Sequence, residues 1–397
     1  MVATRYTDLD TPTNRRDAEV RSRIPALTGL RWWAALSVFF YHAVTLPGIF
    51  APSAAMKPVQ FLLSPAGSVG VSFFFVLSGF VLTWSARPVD TVMSFWRRRV
   101  VRIYPNHWVG CLLAVGAMML AGDYTQLHDV VRVLLLVQTW TPSFIVATGV
   151  NGVSWTLACE MFFYLCFPLL IVLIRKIAPA RLWYWAGGLV LAVFLFPVLS
   201  YLLPSRPTMP FGPPFPEAAS WFVERLPVTR MAEFALGIVL ALIVRDGRWI
   251  RVPSWIAWCF LGLGYVVSMY NQGNLYGRVA ITLIPIAALL ANAATTDVAG
   301  LPSLASRPAL VWLGNVSFAF YIVHLTVLSN IGRLFPGTRT IPIGVGILAL
   351  ALATTLALAW LVHVAVEKPV YRLLATGRHR ENLVSGSLEE HRGGRRS

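Results

Sequence analysis

The sequence is short of charge, and of acidic charge above all. Of 397 residues only 13% are Asp, Glu, Lys or Arg, and 17 acidic side chains stand against 33 basic ones. A soluble domain carries about 25% charged residues, so a water-soluble enzyme is a poor fit to this composition. Cysteine is scarce too. Cys111, Cys159, Cys166 and Cys259 all fall in apolar runs, and none has the spacing of a zinc site or a CxxC redox motif. They read as free, packed thiols, and no metal is expected. The polar, Arg-rich first thirty residues hold no short apolar core before a small-residue cleavage site, so no secretory signal is expected and residues 1–26 read as a cytosolic tail. No repeat of fixed period is visible, which weighs against an inverted-repeat transporter.

What the chain has in quantity is hydrophobic surface. It is 57% hydrophobic with a mean hydropathy of +0.66, which marks a polytopic membrane protein. Apolar windows predict ten helices, over 30–50, 69–85, 108–121, 153–174, 182–203, 231–244, 255–270, 278–294, 310–331 and 341–366, each close to the length that crosses a hydrocarbon core of about 30 Å. The stretch from Val130 to Trp140 is too short to cross and reads as an interfacial or re-entrant piece. With both termini inside, 25 Lys and Arg fall on the inner side and 8 on the outer. Cytoplasmic loops retain such residues. The net charge of +16 therefore follows from topology, without a nucleic-acid partner. The expected fold is all-α, with about ten transmembrane helices, N-in and C-in. The membrane domain runs over 27–371, and residues 372–397 read as a disordered cytosolic tail. The proline-rich segment from Leu203 to Pro227 is held extended, and its aromatics suit either the entrance to a site or the membrane interface.

Ionisable residues within spans are costly, which makes them functional candidates. Arg31 and His42 lie in one apolar segment, about 20° apart in azimuth and roughly 16 Å apart along a helix axis. His42 can serve as a base near neutral pH. Thr156, Glu160 and Tyr164 recur at four-residue spacing and form a polar stripe; this is either a packing network or a carboxylate that orients a base or substrate. Ser317, Tyr321 and His324 share another face, where His324 suits a hydrogen bond to a neighbouring helix better than catalysis. His363 and Glu367, one turn apart, read as an ion pair or helix-end anchor.

The densest signal is FWRRRVVRIYP, Phe95 to Pro105, with Arg97, Arg98, Arg99 and Arg102. A positive-inside anchor accounts for part of it. Four arginines in six residues exceed what topology requires, and the planar guanidinium fork matches phosphate. Together these features suggest a phosphorylated donor at the inner face, for which a CoA thioester is suited, and a membrane-embedded histidine that takes a proton from an acceptor hydroxyl.

These stretches resemble the integral-membrane acyltransferase family 3. The resemblance spans about Leu27 to Tyr371. It rests on LTGLRWWAALSVFFYHA with Arg31 and His42, GSVGVSFFFVLSGFVLT, the RxxR pair Arg99 and Arg102, and VSWTLACEMFFYLCFPLL with Trp155, Glu160 and Tyr164. FALGIVLA, VSFAFYIVHLTVL and VEKPVYR complete the series. It implies ten spans in a bacterial plasma membrane, an acyl-CoA donor (acetyl-CoA or another short-chain thioester) approaching from the cytosol, and an essential His42, with no bound cofactor. It implies a carbohydrate or glycosylated acceptor: an exopolysaccharide, a glycolipid or a macrolide antibiotic. The chain is similar to members that lack an SGNH esterase-like domain. The site expectation is His42 and Glu160 for catalysis, Arg31, Arg98, Arg99 and Arg102 for the donor, and Trp155, Tyr164, Tyr321 and His324 lining the substrate. The rival class is a secondary transporter moving a polar solute past His42 and Glu160, without chemical turnover.

Overall fold

The computed structural model describes residues 24–86, 90–123, 125–335 and 340–374. The expected tails at 1–26 and 372–397 lie almost wholly outside the described residues. Ten long helices stand where the ten apolar windows are: α1 Pro25–Thr45, α2 Ala66–Trp84, α3 Val92–Ala121, α4 Trp155–Arg175, α5 Leu182–Leu199, α6 Pro227–Arg245, α7 Ser254–Tyr270, α8 Leu283–Val298, α9 Pro308–Ile331 and α10 Ile341–Val362. No strand occurs among the described residues, only an isolated bridge between Thr208 and Pro216. In hydrocarbon every backbone N–H and C=O must be satisfied within its own segment, which leaves the helix as the open-ended solution. Among the described residues eight helical segments are long and apolar enough to cross a bilayer by themselves; α1 is not among them, and α7 is a shorter apolar helix. The protein is an all-α polytopic membrane protein.

Helix starts follow local chemistry. Proline occupies the first turn of α1, α6, α9 and α10, where its missing N–H has no intrahelical partner to lose. Thr91 caps α3 by accepting from the Ser94 amide at 3.2 Å, and Gly122 ends it in the left-handed region at φ +73°, a conformation glycine reaches without a Cβ penalty. Helix α3 corrects one expectation: it begins at Val92, not at 108, and continues through Pro105. A hydropathy window rejects the arginines because it averages over all faces. The helix admits them because they occupy its N-terminal turns, and a 30-residue helix is about 45 Å long against a core of about 30 Å.

The bundle is layered around α6, which is 89% enclosed over its apolar window where α5 is 22% enclosed. Helix α2 packs between α1 and α6, and α9 packs against α1 and α10. Two of these crossings are backbone-close. A Cβ on Gly237 of α6 would meet the Val76 carbonyl oxygen of α2 at 2.0 Å, and one on Gly314 of α9 would meet the Thr28 carbonyl oxygen of α1 at 1.9 Å. Only glycine allows such an approach, as in other membrane helix pairs. Helices α5 and α10 are apolar around their whole circumference and face outward. Exposed Trp183, Trp185, Trp255 and Trp312 stand near the starts of α5, α7 and α9, positions suited to a headgroup boundary.

The short segment Leu127–Leu134 packs back against the middle of α3, where His107 Nε2 donates to the Val133 carbonyl at 2.9 Å. Of the two courses open to residues 130–140, interfacial or re-entrant, this return along α3 matches the re-entrant one. As a result α4 starts deep in the bundle, next to α9. The four cysteines are free. Cys111 and Cys159 are packed, but Cys259 is exposed on α7, which corrects the expectation of four packed thiols.

The charge asymmetry makes orientation testable. Reporter fusions after Arg248 and at the C-terminus are expected to report cytosol, and fusions near Pro213 the opposite side. An external C-terminus would refute the ten-span arrangement.

Candidate active site

A cavity of about 270 Å³ opens between α1, α2, α3, α4 and α9. Its polar lining comes from Arg31 of α1, Ser78 of α2, Arg99 and Arg102 of α3, Thr156, Glu160 and Tyr164 of α4, Ser317 and Tyr321 of α9, and Tyr371 beyond α10. Val71, Phe74, Phe75, Leu77 and Ile103 supply apolar walls. The four-residue spacing along α4 thus puts Thr156, Glu160 and Tyr164 on the cavity face, as expected. Ser78 donates to the Tyr164 hydroxyl at 3.1 Å, and that hydroxyl donates to Glu160 Oε2 at 3.4 Å. At the other end of α4's stripe, Thr156 donates to the Tyr321 hydroxyl at 3.1 Å.

The charges do not balance. Three guanidinium groups and one carboxylate line the cavity, and Glu160 stands within electrostatic reach of all three arginines. Behind the wall, Arg102 Nη1 lies 2.7 Å from Glu367 Oε1, and the Glu367 side chain is 3% exposed. Asn106 Nδ2 and His363 Nδ1 both donate to the other oxygen of Glu367, at 3.0 and 3.1 Å. The expected His363–Glu367 anchor is present, and its further partner is Arg102. Among the described residues, Arg31 and Arg99 have no carboxylate within ion-pair distance. Arg99 rests against the Phe95 ring at 5.5 Å. An enclosed cation without a counterion is costly, so this end of the cavity is chemically suited to an anion.

Four expected site residues lie outside the cavity lining: Arg98 and Trp155, and the histidines His42 and His324 described below. Arg98 leaves the donor set: it pairs with Asp90 at 2.7 Å and donates to Ser94 at 2.7 Å, because it lies one residue round the helix from Arg99 and faces the α3 start. Trp155 is not in the cavity wall but packs edge-on against Phe75 with centroids 6.4 Å apart. Ser78 and Tyr371 belong to the cavity and were not singled out as candidates in the sequence, although both lie in stretches that carry the family resemblance. Another buried pair, Arg230 and Glu233 of α6 at 2.8 Å, lies behind Phe75, with Arg230 4.9 Å above that ring. It was also missed, because a motif gives no sign of which charges end up enclosed.

His42 and His324 lie beyond the cavity wall rather than in it. Their rings meet across α1 and α9, with His42 Nδ1 3.0 Å from His324 Nε2, and His324 Nδ1 is 2.7 Å from the Tyr321 carbonyl oxygen. Tyr321 joins the two regions: its ring lines the cavity, stands 5.5 Å from the His324 ring, and meets Phe74 edge-on at 5.8 Å. The site thus has a cationic end on α3 and an imidazole pair on α1 and α9, with aromatic side chains between.

Comparison with known proteins bears on what this arrangement does. A family model described as an acyltransferase domain matches residues 24–364. The chain is 40% identical to the acyltransferase MdmB of Streptomyces mycarofaciens over 90% of its own length and 94% of that protein. It is 26% identical to nodulation protein 10 of Rhizobium leguminosarum bv. viciae, over 91% and 96% of the two chains. It is 26% identical to the putative peptidoglycan O-acetyltransferase YrhL of Bacillus subtilis (strain 168), over 77% of this chain and 48% of that one. No solved structure matches.

The Arg102–Glu367 contact makes a direct prediction. In a double-mutant cycle of Arg102→Gln and Glu367→Gln, read by thermal unfolding in detergent, the pair should show a coupling of about 0.5–3 kcal/mol. Additive effects would mean that Glu367 does not hold Arg102.

Proposed function

The chain belongs to the integral-membrane acyltransferase family 3 and is an O-acyltransferase, and we propose that it moves a short acyl group from acyl-CoA to a hydroxyl of a carbohydrate or glycosylated acceptor. Acetyl-CoA or another short-chain thioester is the donor, and the acceptor is an exopolysaccharide, a glycolipid or a macrolide. The enzyme works in a bacterial plasma membrane with the donor arriving from the cytosol. The observation that carries this reading is the positive charge of Arg31 and Arg99, which line the cavity with no carboxylate of the described residues at ion-pair distance, beside the Glu367-braced Arg102. The diphosphate and ribose phosphate of CoA supply the missing anions, and guanidinium forks bind phosphate bidentately. The narrow, largely apolar cavity suits a pantetheine arm. Glu160, held by Tyr164, accepts from the amide N–H groups of that arm and sets its depth.

His42 is the general base. The acceptor hydroxyl gives its proton to the imidazole as its oxygen attacks the thioester carbonyl; a C–O bond forms and the C–S bond breaks. The departing CoA thiolate takes the proton back from His42, which leaves the ester, CoA-SH and a neutral imidazole. No cofactor is required for this balance.

The test is incubation of the purified protein with isotope-labelled acyl-CoAs and candidate glycosides, followed by mass analysis. Labelled ester should accumulate only with both substrates present; absence of turnover with solute movement across vesicles would favour a transporter instead. Arg99→Ala or Arg102→Ala should weaken acyl-CoA binding roughly ten- to a hundredfold, the equivalent of about 1.5–3 kcal/mol for a charge-assisted hydrogen bond, with only partial rescue by Lys. Unchanged affinity in both variants would reduce the cluster to a topological anchor.

His42→Ala and His42→Gln should each lose on the order of 10²–10⁴-fold in turnover while acyl-CoA binding persists. A folded His42→Gln enzyme that acylates at near wild-type rate would shift the base to His324 or Glu160.

A further inference from the structure

We infer that His324 is a positioning residue: it fixes His42 as the tautomer protonated on Nδ1 and leaves His42 Nε2 as the basic atom. This rests on the reading of His42 as the base and specifies which nitrogen does the work.

The assignment follows from the direction of a short hydrogen-bond chain. It starts at the Tyr321 carbonyl oxygen, which can only accept. His324 Nδ1 lies 2.7 Å from that oxygen, so His324 Nδ1 carries a hydrogen. A neutral imidazole has one N–H; its other nitrogen, Nε2, therefore presents a lone pair. That lone pair is 3.0 Å from His42 Nδ1, so His42 Nδ1 is the donor of the contact. Two protonated nitrogens would face each other N–H to N–H, which the separation does not allow. With Nδ1 protonated, neutral His42 keeps its lone pair on Nε2.

Packing prevents the chain from reversing by ring rotation. His324 is fully buried. Its ring lies parallel to Phe320, 9° from coplanar at 6.2 Å, and Phe39 of α1 closes on it at 6.3 Å. Tyr41 meets the His42 ring edge-on at 5.1 Å. The backbone-close crossing at Gly314 brings α1 and α9 near enough for the two rings to touch.

A neutral acceptor also fits the medium. Many catalytic histidines are oriented by a carboxylate, but an ionised carboxylate at this depth would need its own compensation. An imidazole lone pair orients the base with no added charge. When His42 Nε2 takes the acceptor's proton, the new imidazolium keeps its Nδ1–H bond to His324, and the charge is delocalised next to a polar acceptor rather than against hydrocarbon.

The experiment is ¹⁵N NMR of ring-labelled histidine in the purified full-length protein, with His42→Gln used to assign the His42 signals, alongside steady-state kinetics. Wild type is expected to show His42 protonated on Nδ1. His324→Phe keeps the ring packing but offers no lone pair; it should lose that preference and drop kcat on the order of 10- to 100-fold, the usual cost of removing an orienting partner, with KM for acyl-CoA unchanged. His324→Gln, whose amide oxygen accepts, should recover both readouts in part. His42 protonated on Nε2 in wild type would overturn the inference whether or not the variants fold, as would an unchanged kcat in folded His324→Phe. If instead His42 is in the expected form but His42→Gln remains active, the base assignment fails while the orientation by His324 stands.

Discussion

Enclosed positive charge is the constraint on which the rest of this molecule depends. An apolar helix bundle offers almost nothing to solvate a guanidinium group, so each arginine taken inside needs a compensating partner. Some have a carboxylate within the chain: Arg230 has Glu233 and Arg278 has Glu224, while Arg225 meets Met209 Sδ and the Phe144 ring instead. These pairs tie neighbouring segments together and use up their own charge. Arg31 and Arg99 are different, since no carboxylate of the described residues reaches them and the cavity they line holds Glu160 as its one carboxylate. Arg31 and Arg99 therefore stand apart as cavity-lining arginines without an ion pair among the described residues.

Arg102 stands between these two classes. Glu367 braces it from behind the wall and is itself held by Asn106 and His363, so the guanidinium is oriented without being fully neutralised. This brace links α3 to the helical extension that follows α10 and carries Tyr371 of the cavity lining. If the cavity takes the proposed CoA donor, such prior ordering helps, because less rotamer freedom is lost on binding.

At the opposite end the problem is proton transfer without added charge. The two imidazoles meet through one nitrogen each, and the direction of the chain is set by a backbone carbonyl. Tyr321 contributes that carbonyl, an aromatic wall of the cavity and a hydroxyl that accepts from Thr156. One residue on α9 thus couples the α4 stripe, the cavity and the histidine pair.

Much of this was legible in the sequence, because period and composition are local properties. Hydrophobic runs gave the helices and the membrane, and four-residue spacing gave the Thr156, Glu160 and Tyr164 face. Arginine density pointed to an anion, and ordered motifs pointed to the family. Tertiary structure decided what depends on which helices meet. Arg98 and Arg99 are adjacent in the chain, yet one turns to Asp90 and the other to the cavity, a difference of about 100° in azimuth that matters only once neighbours are present. Trp155 belongs to a family pattern but is consumed in packing. His324 acquires its role only because Gly314 lets α9 approach α1 until two rings share a hydrogen. A sequence determines what each side chain can do; the packing of the helices determines which of those capacities has a partner, and that pairing is a property of distance through space rather than along the chain.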